Sequence, residues 1–183
     1  MTATAFDIYK AQAEVLVPVV RALEKQMGEA EAHRVIRDAL GDHFRNFGKE
    51  AFGSTKETHG EHFGNRIGAL IDMFAADDAL DFDVEEQSDD RFRFRVNRCK
   101  YAEFYKQLGA PELGFLFACY QDYPFNNGMG DDIVLERPQT IMEGATHCQF
   151  NWYVARDEMA AKTAREAEEK RAKEKADGLR SGS

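Results

Sequence analysis

The sequence predicts an α+β domain with a helical N-terminal half, followed by an antiparallel sheet of two hairpins with intervening helices. Two periodicities and their order predict it. Apolar residues recur at helical spacing between residues 5 and 47 and again from 63 to 74, whereas they alternate with polar ones at 80–84, 92–96 and 148–154. The order is helices, hairpin, helices, hairpin, without an internal repeat, which suits helices packed on an antiparallel sheet.

From Ala5 to Met27, Ile8, Tyr9, Val15, Leu16, Val19, Val20 and Leu23 follow a helical repeat, with Pro18 expected to bend the segment or split it in two. A second helix is predicted from Glu29 to Phe47, with Ala32, Val35, Ile36, Ala39, Leu40, His43 and Phe47 on its packed face and Gly28 before it. Glycines at 53, 60, 64 and 68 mark the next stretch as loop in its first half. Phe63, Ile67, Leu70, Ile71 and Phe74 then predict a third helix.

Leu80, Phe82 and Val84, then Phe92, Phe94 and Val96, predict a hairpin around "QSDD" with one polar face. Tyr101, Phe104, Tyr105 and Leu108 predict a helix stopped by "GAP" at 109–111. Leu113, Phe115, Leu116 and Cys119 predict another, ending at "DYPFNNGMG", which reads as loop. "DIVLERPQTIMEG" and "HCQFNWYVA" form the second predicted hairpin, with its turn near Glu143 to Thr146 and Pro138 marking an edge or a bulge.

A chain of 183 residues can bury one sizeable core. The expected division is a single α+β domain over 1–155 and a charged helical or disordered tail over 156–183, whose helix formers lack an apolar stripe. That tail carries eight Lys/Arg and seven Asp/Glu, which leaves sixteen basic and twenty-six acidic side chains in the body, a net of −10. Such a body repels phosphate backbones, so nucleic acid is disfavoured and small molecules are the expected partners, with a homo-oligomer left open. No apolar run approaches the roughly 20 residues of a membrane span, and "MTATAFDIYKAQAEV" lacks the features of a signal peptide. A cytoplasmic protein without membrane partners is expected, whose three cysteines, lacking CxxC spacing, are free thiols or ligands.

Those cysteines mark where chemistry could sit. Cys99 lies where a strand passes into a helix, Cys119 near a helix end, and Cys148 at the start of a strand, and junctions at one end of a sheet can converge. Cys119 and Asp122 are three apart, so on a helix a carboxylate would stand beside a thiol, as general acid or base or as a fellow metal ligand; the plainer reading is a buried Cys with an Asp capping the loop. His147 adjoins Cys148, but strand neighbours point to opposite faces, so a base for Cys148 is expected from elsewhere, with Asp122 or Glu143 as candidates. Arg98 and Arg137 each offer a two-pronged hold on a substrate carboxylate. "HGEH" at 59–62 lacks the HExxH order, and "EAFGSTKE" and "NNGMGDD" match neither phosphate nor calcium loops.

The stretch from Arg98 to Trp152, with a Cys before an amphipathic helix, then G-x-P-E-L, C-x-x-D and R-x-x-T-I-x-x-G-x-x-x-C-x-F, resembles the L-2-amino-thiazoline-4-carboxylic acid hydrolase family. Cys99, Cys119, Asp122, Arg137, Thr140, Gly144, Cys148 and Phe150 carry the resemblance. The order of elements also resembles the vinyl-reductase-like ligand-binding domains. In the hydrolase pattern the residue after the last Cys is often acidic, whereas here it is Gln149, which suggests a different substrate.

The resemblance implies hydrolytic opening of a small carboxylate-bearing heterocycle, a cyclic amidine or thiazoline, at a C–N bond, giving an N-carbamoyl amino acid without a cofactor. Its expected site has Cys148 or Cys119 as nucleophile, Asp122 as proton shuttle, and Arg137 or Arg98 as carboxylate anchor, with Thr140 and His147 completing the substrate-binding set. One alternative makes Cys99, Cys119, Asp122 and Cys148 the ligands of a zinc ion. The other is a non-enzymatic small-ligand-binding or sensor domain with a Phe-rich pocket.

Overall fold

Helix α1, Ala5–Met27, starts at a capping box in which Thr4 Oγ1 accepts from Asp7 N at 3.2 Å and the Asp7 carboxylate accepts from Thr4 N at 3.3 Å. In this computed structural model, which describes residues 3–52 and 63–178, α1 runs through Pro18 as one helix. It ends at Gly28, whose φ of 87° suits a residue without a Cβ, and α2, Glu29–Phe52, begins immediately.

The α2 helix is longer than the sequence predicts and its buried face is rotated. Val35 and Phe47 are 40% and 42% exposed, Ala39 and His43 are exposed too, and the buried positions include His33, Arg37, Gly41 and Gly48. Polar partners across the interface explain the shift: His33 Nε2 lies 2.8 Å from Glu24 Oε1 on α1, and Arg37 Nη1 donates to Asp177 Oδ1 at 2.6 Å. A periodicity that counts only large apolar residues misses a face whose buried members are glycines and paired polar groups. The glycine-rich loop expected ahead of the third helix, with His59 and His62, falls on 53–62, outside the described residues.

The third predicted helix is α3, Phe63–Ala75, and it lies against the first hairpin, β1 (Leu80–Gln87) and β2 (Arg91–Cys99). Helix α4, Lys100–Gln107, follows at once. The next predicted helix is broken in two: α5, Pro111–Gly114, then one π turn over Phe115–Cys119 closed by Tyr120 N donating to Phe115 O at 2.7 Å.

"DYPFNNGM", expected as loop, is helix α6, Asp122–Met129. Its turn-forming residues have partners inside. Asn126 Nδ2 donates to Ile133 O at 3.2 Å, Asn126 Oδ1 accepts from Trp152 Nε1 at 3.1 Å, and Gly128 lets α6 touch the α2 backbone. A Cβ at Gly128 would run into Arg45 O, and one at Gly48 into Phe125 O. Gly128→Ala is therefore expected to cost about 2 kcal/mol, lowering the thermal midpoint by roughly 4–8 °C. A melting curve superimposable on wild type would show that the two helices can part freely.

Strand β3, Ile133–Glu136, stops before Pro138, as an edge strand should, and pairs with β4, Cys148–Val154. The sheet is antiparallel throughout, in the order β1-β2-β4-β3. Register sets Phe92 against Trp152, Phe94 against Phe150 and Val96 against Cys148, and these six buried side chains make its inner face. The α+β class and the helix, hairpin, helix, hairpin order are as the sequence predicts.

Residues 158–178 form helix α7, Glu158–Gly178, where a solvated helix or a frayed tail was expected, and the helix docks on the body. Ala161, Ala172 and Ala176 are at most 1% exposed, and Arg165 Nη1 donates to Gly130 O at 3.1 Å. Alanines bury a close-packed seam that a search for large apolar residues passes over. No helix among the described residues is long and apolar enough to cross a membrane.

Candidate active site

A cavity of about 110 Å³ lies between the inner face of the sheet and helices α1 to α3 and α6. That is the order of size of the ~150 Å³ engineered cavity that holds one benzene molecule. It therefore suits a single small ring rather than a peptide or a nucleotide. Five predicted site residues line it together: Cys99, Cys119, Asp122, Arg137 and Cys148. The junctions converge because Cys99 ends β2, Cys148 opens β4 beside it, and the π turn delivers Cys119 and Asp122 over that end of the sheet.

Arg137 organises the polar wall. It follows the edge strand, is 4% exposed, and stacks its guanidinium 4.2 Å from the Phe150 ring centroid. Phe150 in turn stacks on Phe94, 4.5 Å away and 10° from parallel. Nη1 donates to Asp122 Oδ2 at 2.8 Å and to Cys119 O at 2.9 Å, while the buried Nε has no hydrogen-bond partner. A buried guanidinium with an unused N–H has capacity for a further acceptor, and a carboxylate matches its fork.

Burial pushes Asp122 up to about 6 against the opposing pull of Arg137, although its carboxylate keeps 27% of its surface accessible. That value suits proton transfer near neutrality. The three thiols differ. Burial lifts Cys99 to about 11 and drives Cys119 higher still, so both stay protonated. Cys148 Sγ accepts a hydrogen bond from Ile141 N at 3.2 Å. Burial opposes the charge on Arg137, but the Asp122 carboxylate paired with it helps to hold that charge.

The other predicted residues lie apart from the cavity. Arg98 is exposed and forked onto Glu103 at 2.8 and 2.9 Å, because Glu103 on α4 meets it first. Thr140 is buried and spent on a cap, accepting from Glu143 N at 3.2 Å and donating to Glu143 Oε2. His147 bonds Gln139 and Thr146, turned from Cys148 as strand alternation requires. Glu143 is paired with Lys175 at 2.9 Å. Gln149 faces the opposite side of the sheet, donating to Glu85 Oε2 at 3.0 Å, so its departure from an acidic residue leaves the cavity lining unchanged.

Cys99, Cys119, Asp122 and Cys148 border one cavity, yet no three His, Cys, Asp or Glu side chains among the described residues approach with metal-binding geometry. Sequence reasoning passed over Tyr9, whose hydroxyl meets Gln121 in the lining, and the Ile141 amide. A backbone donor leaves no signal in residue type.

The fold is thus an α+β domain with a small cavity against its sheet, and a carboxylate–guanidinium pair and three thiols line that cavity. The family model for L-2-amino-thiazoline-4-carboxylic acid hydrolase matches residues 9–152, and the chain belongs to that family, one of hydrolases. No curated protein matches it.

Proposed function

We propose that the chain hydrolyses a carboxylate-bearing five-membered ring of the 2-aminothiazoline or cyclic amidine type, with Cys148 as nucleophile, Asp122 as proton carrier and Arg137 as carboxylate anchor. The observation that carries this reading is that the Cys148 sulfur, supplied with an amide donor, borders the same small cavity as the Asp122–Arg137 pair. The substrate carboxylate meets the unused N–H edge of Arg137, and the amidine carbon comes within reach of sulfur.

That carbon is electrophilic once its nitrogen is protonated. The Cys148 thiolate forms a C–S bond to it, and the ring C–N bond breaks as Asp122 protonates the departing nitrogen. Water then adds to the same carbon, giving one proton to Asp122, and the sulfur leaves as thiolate; the proton left on the new carbonyl oxygen passes to the freed amine. One water is consumed, and both side chains are regenerated.

Incubation with a panel of cyclic amidines, lactams and thiazolines, read by mass spectrometry, tests this by the gain of one water. For a thiazoline, C–N rupture leaves the ring sulfur on the carbamoyl carbon, whereas C–S rupture frees a thiol and gives an N-carbamoyl amino acid. Thiol titration separates the two. A ring that binds tightly and never opens would make the protein a ligand-binding module. About one zinc per chain in protein purified without added metal would replace the free-thiolate mechanism with a metal-assisted one.

A further inference from the structure

Helix α7 lies beyond the segment matched to the family, yet two of its side chains reach the residues flanking Cys148. Lys175 Nζ lies 2.9 Å from Glu143 Oε1, and the two side chains are only 23% and 16% exposed. The other carboxylate oxygen of Glu143 accepts from Thr140 Oγ1 at 2.8 Å, and Thr140 Oγ1 accepts from Glu143 N at 3.2 Å. These bonds close a single 3₁₀ turn, Ile141–Glu143, whose first amide is the one that donates to Cys148 Sγ. Two helical turns earlier on α7, the largely buried Glu168 accepts from the backbone N–H of Arg137 at 3.4 Å.

We propose that α7 is a positioning element of the site: Lys175, through Glu143 and Thr140, holds the Ile141 amide on the Cys148 sulfur, while Glu168 fixes the backbone that carries Arg137. The turn lies outside the sheet ladder, with Met142 buried in the core and Lys106 Nζ donating to Ile141 O at 2.7 Å, and an amide stabilises a thiolate only when it stays aligned. Removing the lysine leaves the Glu143 carboxylate half-buried without its counter-charge, so the turn loosens toward solvent. The proposal rests on the reading of Cys148 as nucleophile for its effect on turnover.

The full-length protein is alkylated with iodoacetamide at pH 7, and peptide mass mapping follows the rate at Cys148. Lys175→Ala is expected to slow that rate roughly three- to tenfold, with Lys175→Arg restoring it to within about twofold. Glu143→Gln, which removes the charge pair and keeps a side chain able to hold the turn, slows it in the same direction. Lys173→Ala, which removes a pair with Glu169 confined to α7 at 2.9 Å, leaves the rate unchanged. In turnover, Lys175→Ala lowers kcat with KM held. A wild-type rate in both Lys175→Ala and Glu143→Gln, or equal slowing in Lys173→Ala, overturns the proposal. If Lys175→Ala slows alkylation but no ring is opened by the wild type, the positioning role stands and the hydrolase reading falls.

Discussion

Cys148→Ala is expected to lose ring opening by roughly 10³-fold or more while the fold survives. Cys99→Ala and Cys119→Ala are expected to stay within about tenfold of wild type, because burial keeps both thiols protonated and only Cys148 receives the Ile141 amide. Steady-state turnover of the three variants, alongside circular dichroism to confirm folding, decides the matter. Loss of activity in Cys119→Ala with retention in Cys148→Ala would transfer the nucleophile to the π turn. Retention in both would end the covalent mechanism. A mass adduct on the Cys148 peptide, trapped by acid quench during turnover, is the positive counterpart.

The second large effect is on pH. Asp122 gives up its proton as pH rises through about 6, and only then can it accept the proton of the attacking thiol. The ratio kcat/KM should therefore rise as pH climbs through about 6. Stability should move the other way. Asp122 has its value raised by burial, so the stability it contributes is complete below its unfolded value near 4 and is lost as pH rises through about 6, a change of roughly 2–3 kcal/mol. Denaturant unfolding between pH 4 and 7 measures it, and Asp122→Asn should flatten that dependence.

Arg137→Met joins the two effects. Without the guanidinium, Asp122 loses the charge that holds it down, so the rising limb of activity moves to higher pH. The substrate carboxylate loses its anchor, and KM should increase by roughly 10²-fold. An unmoved limb with an unchanged KM would mean that Arg137 serves only to join β3 to α6. The measurement is a kcat/KM profile for wild type and variant over the same buffers.

Much of this was legible from spacing. The period-two runs give the inner sheet face, Phe92, Phe94 and Val96 opposite Trp152, Phe150 and Cys148. Strand alternation alone turns His147 from the thiol. The three-residue step from Cys119 to Asp122, next to the R-x-x-T-I pattern, marks the wall that Arg137 organises. Where the reading failed, partners were distant in sequence. Asn126 and Gly128 look like loop formers until Trp152 and Arg45 are placed against them, and His33 and Arg37 look like a solvated face until Glu24 and Asp177 pair with them.

By itself, the sequence determined the α+β class, the order of elements, the family and the set of groups that could react, because these depend on local periodicity and on residue type. Tertiary structure alone decided which members of that set meet. It put Arg137 on Asp122 and sent Arg98 to Glu103, spent Thr140 on a cap, turned Gln149 to the outer face, and brought α7 against the turn that serves Cys148. The physical reason is that burial and hydrogen-bond partnership, which set the charge on a thiol or a carboxylate, arise from contacts that close only when distant segments pack.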